Sequence, residues 1–337
     1  MKFLRTYLLP IILCTLMQSC YDNNPATSPY QPLELERIAD FPEKRSSATA
    51  VGVGEKAYVM FGRNSDGIYQ NDCWEYDAVV DSWTQKTPCP GFPRVKPTSA
   101  ALNGKIYTGL GYNPRPECGD IDVLYNDCVF LKDFWMYDPQ TDVWERQADA
   151  PLKETSACVS FVWNNEIYVG IGYGNMSFSS EWWKFTLNDT GGKWIQMKNL
   201  PGMPRSGAVA CFNDKHIFFG TGFIEHNLDD WWAYSPEKDS WKKQKNVPNK
   251  GRINGVALCA DNCFFVATGR YWRGSLTGGH LKSDILEYNV KRDCWYERGE
   301  IPYGRENAIA FTIGNKAYIG LGENDNELFN DLWAFDP

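Results

Sequence analysis

Apolar and polar positions alternate along this chain in short bursts, and nearly every burst ends in a turn-forming pair. The last stretch, RENAIAFTIGNKAYIGLGENDNELFNDLWAFDP, shows the pattern whole. Residues 307–313 alternate, Gly314-Asn315-Lys316 turns them back, and residues 317–322 run on with β-branched and aromatic side chains. A polar loop follows, then a third apolar run over 331–335 that stops at Asp336-Pro337. Period-two alternation broken by Gly-Asn and Asp-Pro predicts strand, tight turn, strand, loop, strand. A meander of this size cannot bury both faces alone, so it needs neighbours like itself.

The neighbours are in the sequence. An aromatic recurs in the second strand at Tyr58, Tyr107, Tyr168, Phe218, Phe265 and Tyr318. Four residues after each stands Gly62, Gly111, Gly172, Gly222, Gly269 or Gly322. The third strand repeats as DCWEYD (72–77), DFWMYD (133–138), EWWKF (181–185), DWWAY (230–234) and DILEY (284–288). The fourth carries Trp83, Trp144, Trp194, Trp241 and Trp295, large enough to fill the space between stacked units. The sixth unit has no fourth strand before Pro337. Residues 34–42 (ELERIADFP) match 143–151 (VWERQADAP), with Leu35 where Trp144 stands. Residues 34–41 are therefore expected to be the outer strand of the last unit, closing a ring that leaves no open sheet edge.

A period of roughly 50 residues with four short strands is the pattern of a propeller blade. On these motifs, residues 33–337 resemble the kelch-repeat β-propellers of bacterial exported lipoproteins. The resemblance implies an all-β, six-bladed kelch β-propeller whose last blade is closed by the N-terminal strand. It also implies that ligands sit at the loop face around the mouth of the central channel. Kelch repeats usually carry two adjacent glycines at the end of the second strand. Here the first is replaced by Phe61, Leu110, Ile171, Thr221, Thr268 and Leu321.

The beginning of the chain is read as an export signal. Lys2 and Arg5 precede an apolar core over 7–17, and Gln18-Ser19-Cys20 follows. This looks like a lipoprotein signal over 1–19, a lipid-modified Cys20 and a polar, Pro-rich tether over 20–32. The expected location is the bacterial cell envelope, on the outer membrane, held by lipid alone. A net charge of −8 argues against nucleic acid, which needs a basic face. Nine cysteines follow Cys20, so at least one is unpaired; Cys259 with Cys263, and Cys118 with Cys128, are close enough in sequence to bridge a hairpin and a loop. No Cys-x-x-Cys or His cluster suggests a metal, no cofactor motif stands out, and a monomer is expected.

Chemistry is sought on the loop face. At a constant interval before each second-strand aromatic stand Arg45, Arg94, Thr155, Arg205, Arg252 and Arg305. Five arginines on an acidic protein suit a carboxylate or phosphate, which guanidinium binds bidentately; the competing reading is that they brace the blade junctions. Tyr112, Tyr173, Tyr271 and Trp272 begin loops on the same face and suit a sugar or a protein surface. The expected function is a membrane-anchored, non-catalytic binding module for an acidic glycan or protein ligand. The alternative implied by resemblance is a sugar mutarotase of the sialic-acid epimerase type, with Glu154, Glu306 or Glu323 moving the proton.

Overall fold

The computed structural model describes residues 31–113, 130–152, 155–174, 177–188, 190–272 and 278–337. Six four-stranded antiparallel sheets stand around a common axis, and no α-helix occurs among the described residues. The inner strands, one per blade, are Thr49–Val53, Thr98–Leu102, Val159–Trp163, Val209–Phe212, Val256–Ala260 and Ile309–Ile313. Small side chains such as Ala50, Ser99, Ser160, Ala210, Ala257 and Ala310 line a narrow channel of about 210 Å³ between them. At Gly52 a Cβ would lie 1.9 Å from the Thr312 carbonyl oxygen, so blades one and six approach this closely because glycine stands there.

The ring closes as the match of residues 34–42 to 143–151 predicts. Leu332–Phe335 pairs with Glu36–Ile38, with Glu36 opposite Ala334 and Ile38 opposite Leu332. The strand is shorter than the expected 34–41, because residues 39–41 already turn towards blade one. Phe41 is buried there, with its ring 4.9 Å from Trp83 and 5.8 Å from Trp74.

Each outer-strand Trp grips the blade before it. Trp83 donates to the Ala39 carbonyl, Trp144 to Thr87, Trp194 to Ala148 and Trp295 to Lys245, at 2.8–3.1 Å. Where an Asp precedes the Trp by two residues it accepts the amide of that same partner: Asp81 from Ala39, Asp142 from Thr87, Asp293 from Lys245. The same Asp accepts a buried tyrosine hydroxyl from Tyr76, Tyr137 or Tyr288. One Tyr-Asp-Trp set thus satisfies both polar groups of a single residue next door, while its rings cover the apolar seam.

A second latch uses the recurring arginines. Arg45 holds Asp72 through two bonds of 2.8 Å, Arg94 holds Asp133 at 2.7 and 2.6 Å, and Arg252 holds Asp284 at 2.7 and 2.9 Å. Arg205 and Arg305 hold Asp230 and Asp331 in the same way. Each guanidinium also donates to the carbonyl of the residue before the repeat glycine: Phe61, Leu110, Thr221, Thr268 and Leu321. Those residues are left-handed, with φ of 54–63°, as is Ile171 at 62°. A non-glycine there costs roughly 1–2 kcal/mol. Complete burial of the apolar side chains of Phe61, Leu110, Ile171 and Leu321 and, in five blades, the arginine bond offset that cost. This explains how the first kelch glycine is dispensed with. The second glycine closes the circle: its amide donates to the carbonyl of the next blade's entry residue, from Gly62 to Arg94 round to Gly322 to Arg45.

The cysteine expectations are corrected at Cys259 and Cys263. In the hairpin Cys259 lies opposite Phe264 and Cys263 opposite Ala260, so the two occupy successive register positions on opposite faces, and both are free thiols. Cys118 and Cys128 lie outside the described residues.

Candidate functional site

The five arginines Arg45, Arg94, Arg205, Arg252 and Arg305 do not face a ligand. All are buried to 1 % exposure or less and their guanidinium forks are taken up by carboxylate and carbonyl. Their expected ligand-binding role is withdrawn, because a fork already engaged bidentately has no matching pair of donors left. Thr155 in blade three is likewise buried.

The mouth of the channel belongs to the two residues after each of those positions. The first of them bridges to the residue after the repeat glycine: Ser46 to Arg63, Val95 to Tyr112, Ser156 to Tyr173, Ser206 to Phe223, Ile253 to Arg270 and Glu306 to Glu323. The second is left-handed in every blade: Ser47, Lys96, Ala157, Gly207, Asn254 and Asn307, with φ of 52–60°. These six are chained by backbone hydrogen bonds across the blades, Lys96 to Ser47, Ala157 to Lys96, Asn254 to Gly207, Asn307 to Asn254 and Ser47 to Asn307, at 2.9–3.1 Å.

Blade six places Glu306 directly opposite Glu323, a pairing of like charges that is unfavourable alone. The flanking blades neutralise it. From blade five, Arg270 donates Nε to Glu306 at 2.6 Å and a terminal nitrogen to Asp325 at 2.6 Å, while its guanidinium lies 5.2 Å from the Trp272 ring centre. From blade one, Arg63 pairs with Glu323, which also accepts from Ser46 and Asn307. Asn254 donates to the free oxygen of Glu306 at 2.8 Å. Lys96 reaches from blade two to the Asn254 amide oxygen at 3.1 Å. Burial pushes the Lys96 ammonium below its ordinary pKa; Glu306 and Glu323 oppose that shift and Arg63 adds to it.

The aromatic expectations divide. Tyr112 and Tyr173 meet through Phe130, with ring centres 5.2 and 6.4 Å from it, and form a wall on the blade two and three side. Tyr271 and Trp272 sit on a hairpin of blade five, where Arg270–Tyr271 pairs with His280–Leu281. They line a groove of about 960 Å³ towards blade four, with His226 and Asn227 on its other side. Asn227 and Trp272 exchange two hydrogen bonds, 2.6 and 3.1 Å, that tie the two hairpins together. Glu306 and Glu323 come together as described; Glu154 and Cys20 lie outside the described residues. Arg63 and Arg270 open loops that the sequence already places on this face, whereas sequence reasoning missed Lys96 and Asn254 as site residues. The signal was present as position: they stand two residues after the entry position, a register that faces the mouth.

Fold and repeat together define a six-bladed β-propeller built of kelch repeats. No family model matches the chain. The chain is 26 % identical over 336 residues to N-acetylneuraminate epimerase from Pasteurella multocida (strain Pm70), covering 96 % of this chain and 76 % of that protein. It is 24 % identical over 297 residues to N-acetylneuraminate epimerase from Yersinia enterocolitica, covering 86 % and 69 %. To Kelch-like protein 25 from Xenopus tropicalis it is 20 % identical over 307 residues, 90 % of this chain but 41 % of the relative's length. The solved structure of YjhT superposes with a TM-score of 0.71 at 18 % identity, covering 88 % of this chain and 96 % of that one. The expectation of a non-catalytic binding module is corrected by these relatives, several of which are named as epimerases.

Proposed function

We propose that this propeller is a sugar mutarotase acting on a sialic acid at the channel mouth. The observation that carries the reading is the Glu306–Glu323 pair, held between Arg270 and Arg63. The likeness to N-acetylneuraminate epimerases over most of the chain supports the substrate class.

Interconverting anomers opens and recloses a hemiketal. A base takes the proton of the anomeric hydroxyl, the bond from the anomeric carbon to the ring oxygen breaks, and the anomeric carbon becomes a carbonyl. The ring oxygen receives a proton in the same step. Re-addition to the opposite face of the carbonyl, with the proton movements reversed, yields the other anomer. Nothing is oxidised or reduced. The chemistry asks only for proton acceptors and donors fixed within hydrogen-bond reach, and two adjacent carboxylates with fixed partners meet it. Arg270 and Arg63 hold both groups in place, and Trp272 backs Arg270.

Proton NMR of a freshly dissolved single anomer of N-acetylneuraminate tests this reading. Anomer exchange faster than the buffer control is expected. Glu306→Gln or Glu323→Gln should cut it by about 10²–10⁴ for whichever carboxylate transfers the proton. Exchange at the buffer rate with folded protein would overturn it. The export signal read at the start of the chain supports a site of action in the cell envelope, with the protein tethered through Cys20.

A further inference from the structure

Three cations stand at the mouth among the described residues, and two are already committed. Arg270 is engaged by Glu306, Asp325 and the Gly278 carbonyl, and Arg63 is paired with Glu323. Lys96 differs. Its ammonium has a neutral acceptor, the Asn254 amide oxygen, and among the described residues no carboxylate within ion-pair reach. One of three N–H donors is used. A partly buried cation without a direct ion pair is unfavourable, as its lowered pKa reflects, and an incoming anion would relieve that cost.

The surroundings say what shape of anion fits. Around the six-residue ring, blades three and four contribute Ala157 and Gly207, a methyl and a hydrogen, the two smallest side chains of the six. The other positions are amides and a hydroxyl: Asn254, Asn307 and Ser47. A Cβ on Gly207 would lie 2.4 Å from Ile253 Cγ1 and 2.6 Å from the Asn254 amide oxygen that accepts from Lys96, so glycine at 207 leaves that amide where the lysine meets it. Glu306 and Glu323 lie in blade six, and both act on the Lys96 ammonium electrostatically. Lys96 and the glutamates belong to one cluster, linked through Asn254, which accepts from Lys96 and donates to Glu306.

We propose that Lys96 is the carboxylate-binding residue of the site and sets its preference for acidic over neutral sugars. The identity of the acid rests on the mutarotase reading; the carboxylate subsite does not. In an N-acetylneuraminate the carboxylate is attached to the anomeric carbon, so a cation that holds it also fixes the reacting centre.

The test compares N-acetylneuraminate with its methyl ester, which replaces the carboxylate by a neutral group one methyl larger. Binding is measured by NMR titration and anomer exchange by saturation transfer. Wild-type protein is expected to prefer the acid by about tenfold or more, the scale of a hydrogen bond to a charged group. Lys96→Gln should raise KM for the acid more than it lowers kcat and bring acid and ester to the same KM, and Lys96→Arg should restore part of the preference. A folded Lys96→Gln that keeps the acid-to-ester ratio overturns the proposal. If that variant does not fold, Gly207→Ala gives the second arm, and an unchanged ratio in it, with the protein folded, also overturns the proposal. Preferential binding of the acid without faster anomer exchange upholds the subsite and removes the mutarotase reading. Faster exchange with no preference for the acid removes the subsite alone.

Discussion

Lys96 of blade two and Asn254 of blade five meet across the channel mouth, 158 positions apart in the chain, with the ammonium 3.1 Å from the amide oxygen. Burial holds the pKa of this lysine below its ordinary value. An acidic ligand requires the charged form, so affinity should be highest below that lowered pKa and fall as pH rises through it. The loss should come before the value of about 10.4 at which an ordinary lysine titrates. Bound acid favours the ammonium and should move the midpoint upward. Titrations of N-acetylneuraminate at a series of pH values check this, with the methyl ester expected to show no such fall.

Arg252→Ala should destabilise the fold by about 3–5 kcal/mol, because it leaves Asp284 buried without its partner. Lysine should not rescue it, since the grip is bidentate and a third bond goes to the Thr268 carbonyl. Urea denaturation measures the loss.

The same latches predict acid sensitivity. For Asp133, Asp284 and Asp331, burial alone would raise the pKa, but pairing with Arg94, Arg252 and Arg305 more than offsets it and the values fall below the ordinary aspartate range. Their contribution to stability is present above the unfolded pKa of about 3.9 and is lost as pH falls through the lower folded values. Melting temperatures measured downward from pH 5 should drop steeply in that window, and Asp133→Asn should flatten the drop.

Phe41→Ala should cost about 3–5 kcal/mol. The ring is 1 % exposed, packs edge-on against Trp83, and lies 5.2 Å from the Arg45 guanidinium, so it seals the seam between the closing strand and blade one. An unchanged melting temperature would show that the closing strand carries no load.

Cys20→Ala, or globomycin treatment, should leave a precursor of higher mass that still carries the apolar segment 7–17. Normal processing in both cases would remove the tether from the account.

The six blades, their strand order and the closure by the N-terminal strand were legible in the sequence. Alternation, Gly-Asn turns and the recurring Trp are local signals, and the match of 34–42 to 143–151 carried the closure. Even the spared first glycine was visible as a departure, although its remedy was not: the arginine that supports Leu110 or Leu321 comes from 16 residues earlier in the chain. Which side of each blade an arginine faces could not be read. Arg45 is a strut because Asp72, 27 residues later, folds back onto it, and that return is a property of the packed blade. The site was less legible still. Glu306 and Glu323 are neutralised by residues of the blades on either side, and Lys96 finds its acceptor on the blade opposite. Repeat chemistry is written within one blade. Charge compensation at the mouth is set by distances between blades, and those exist only once the ring has closed.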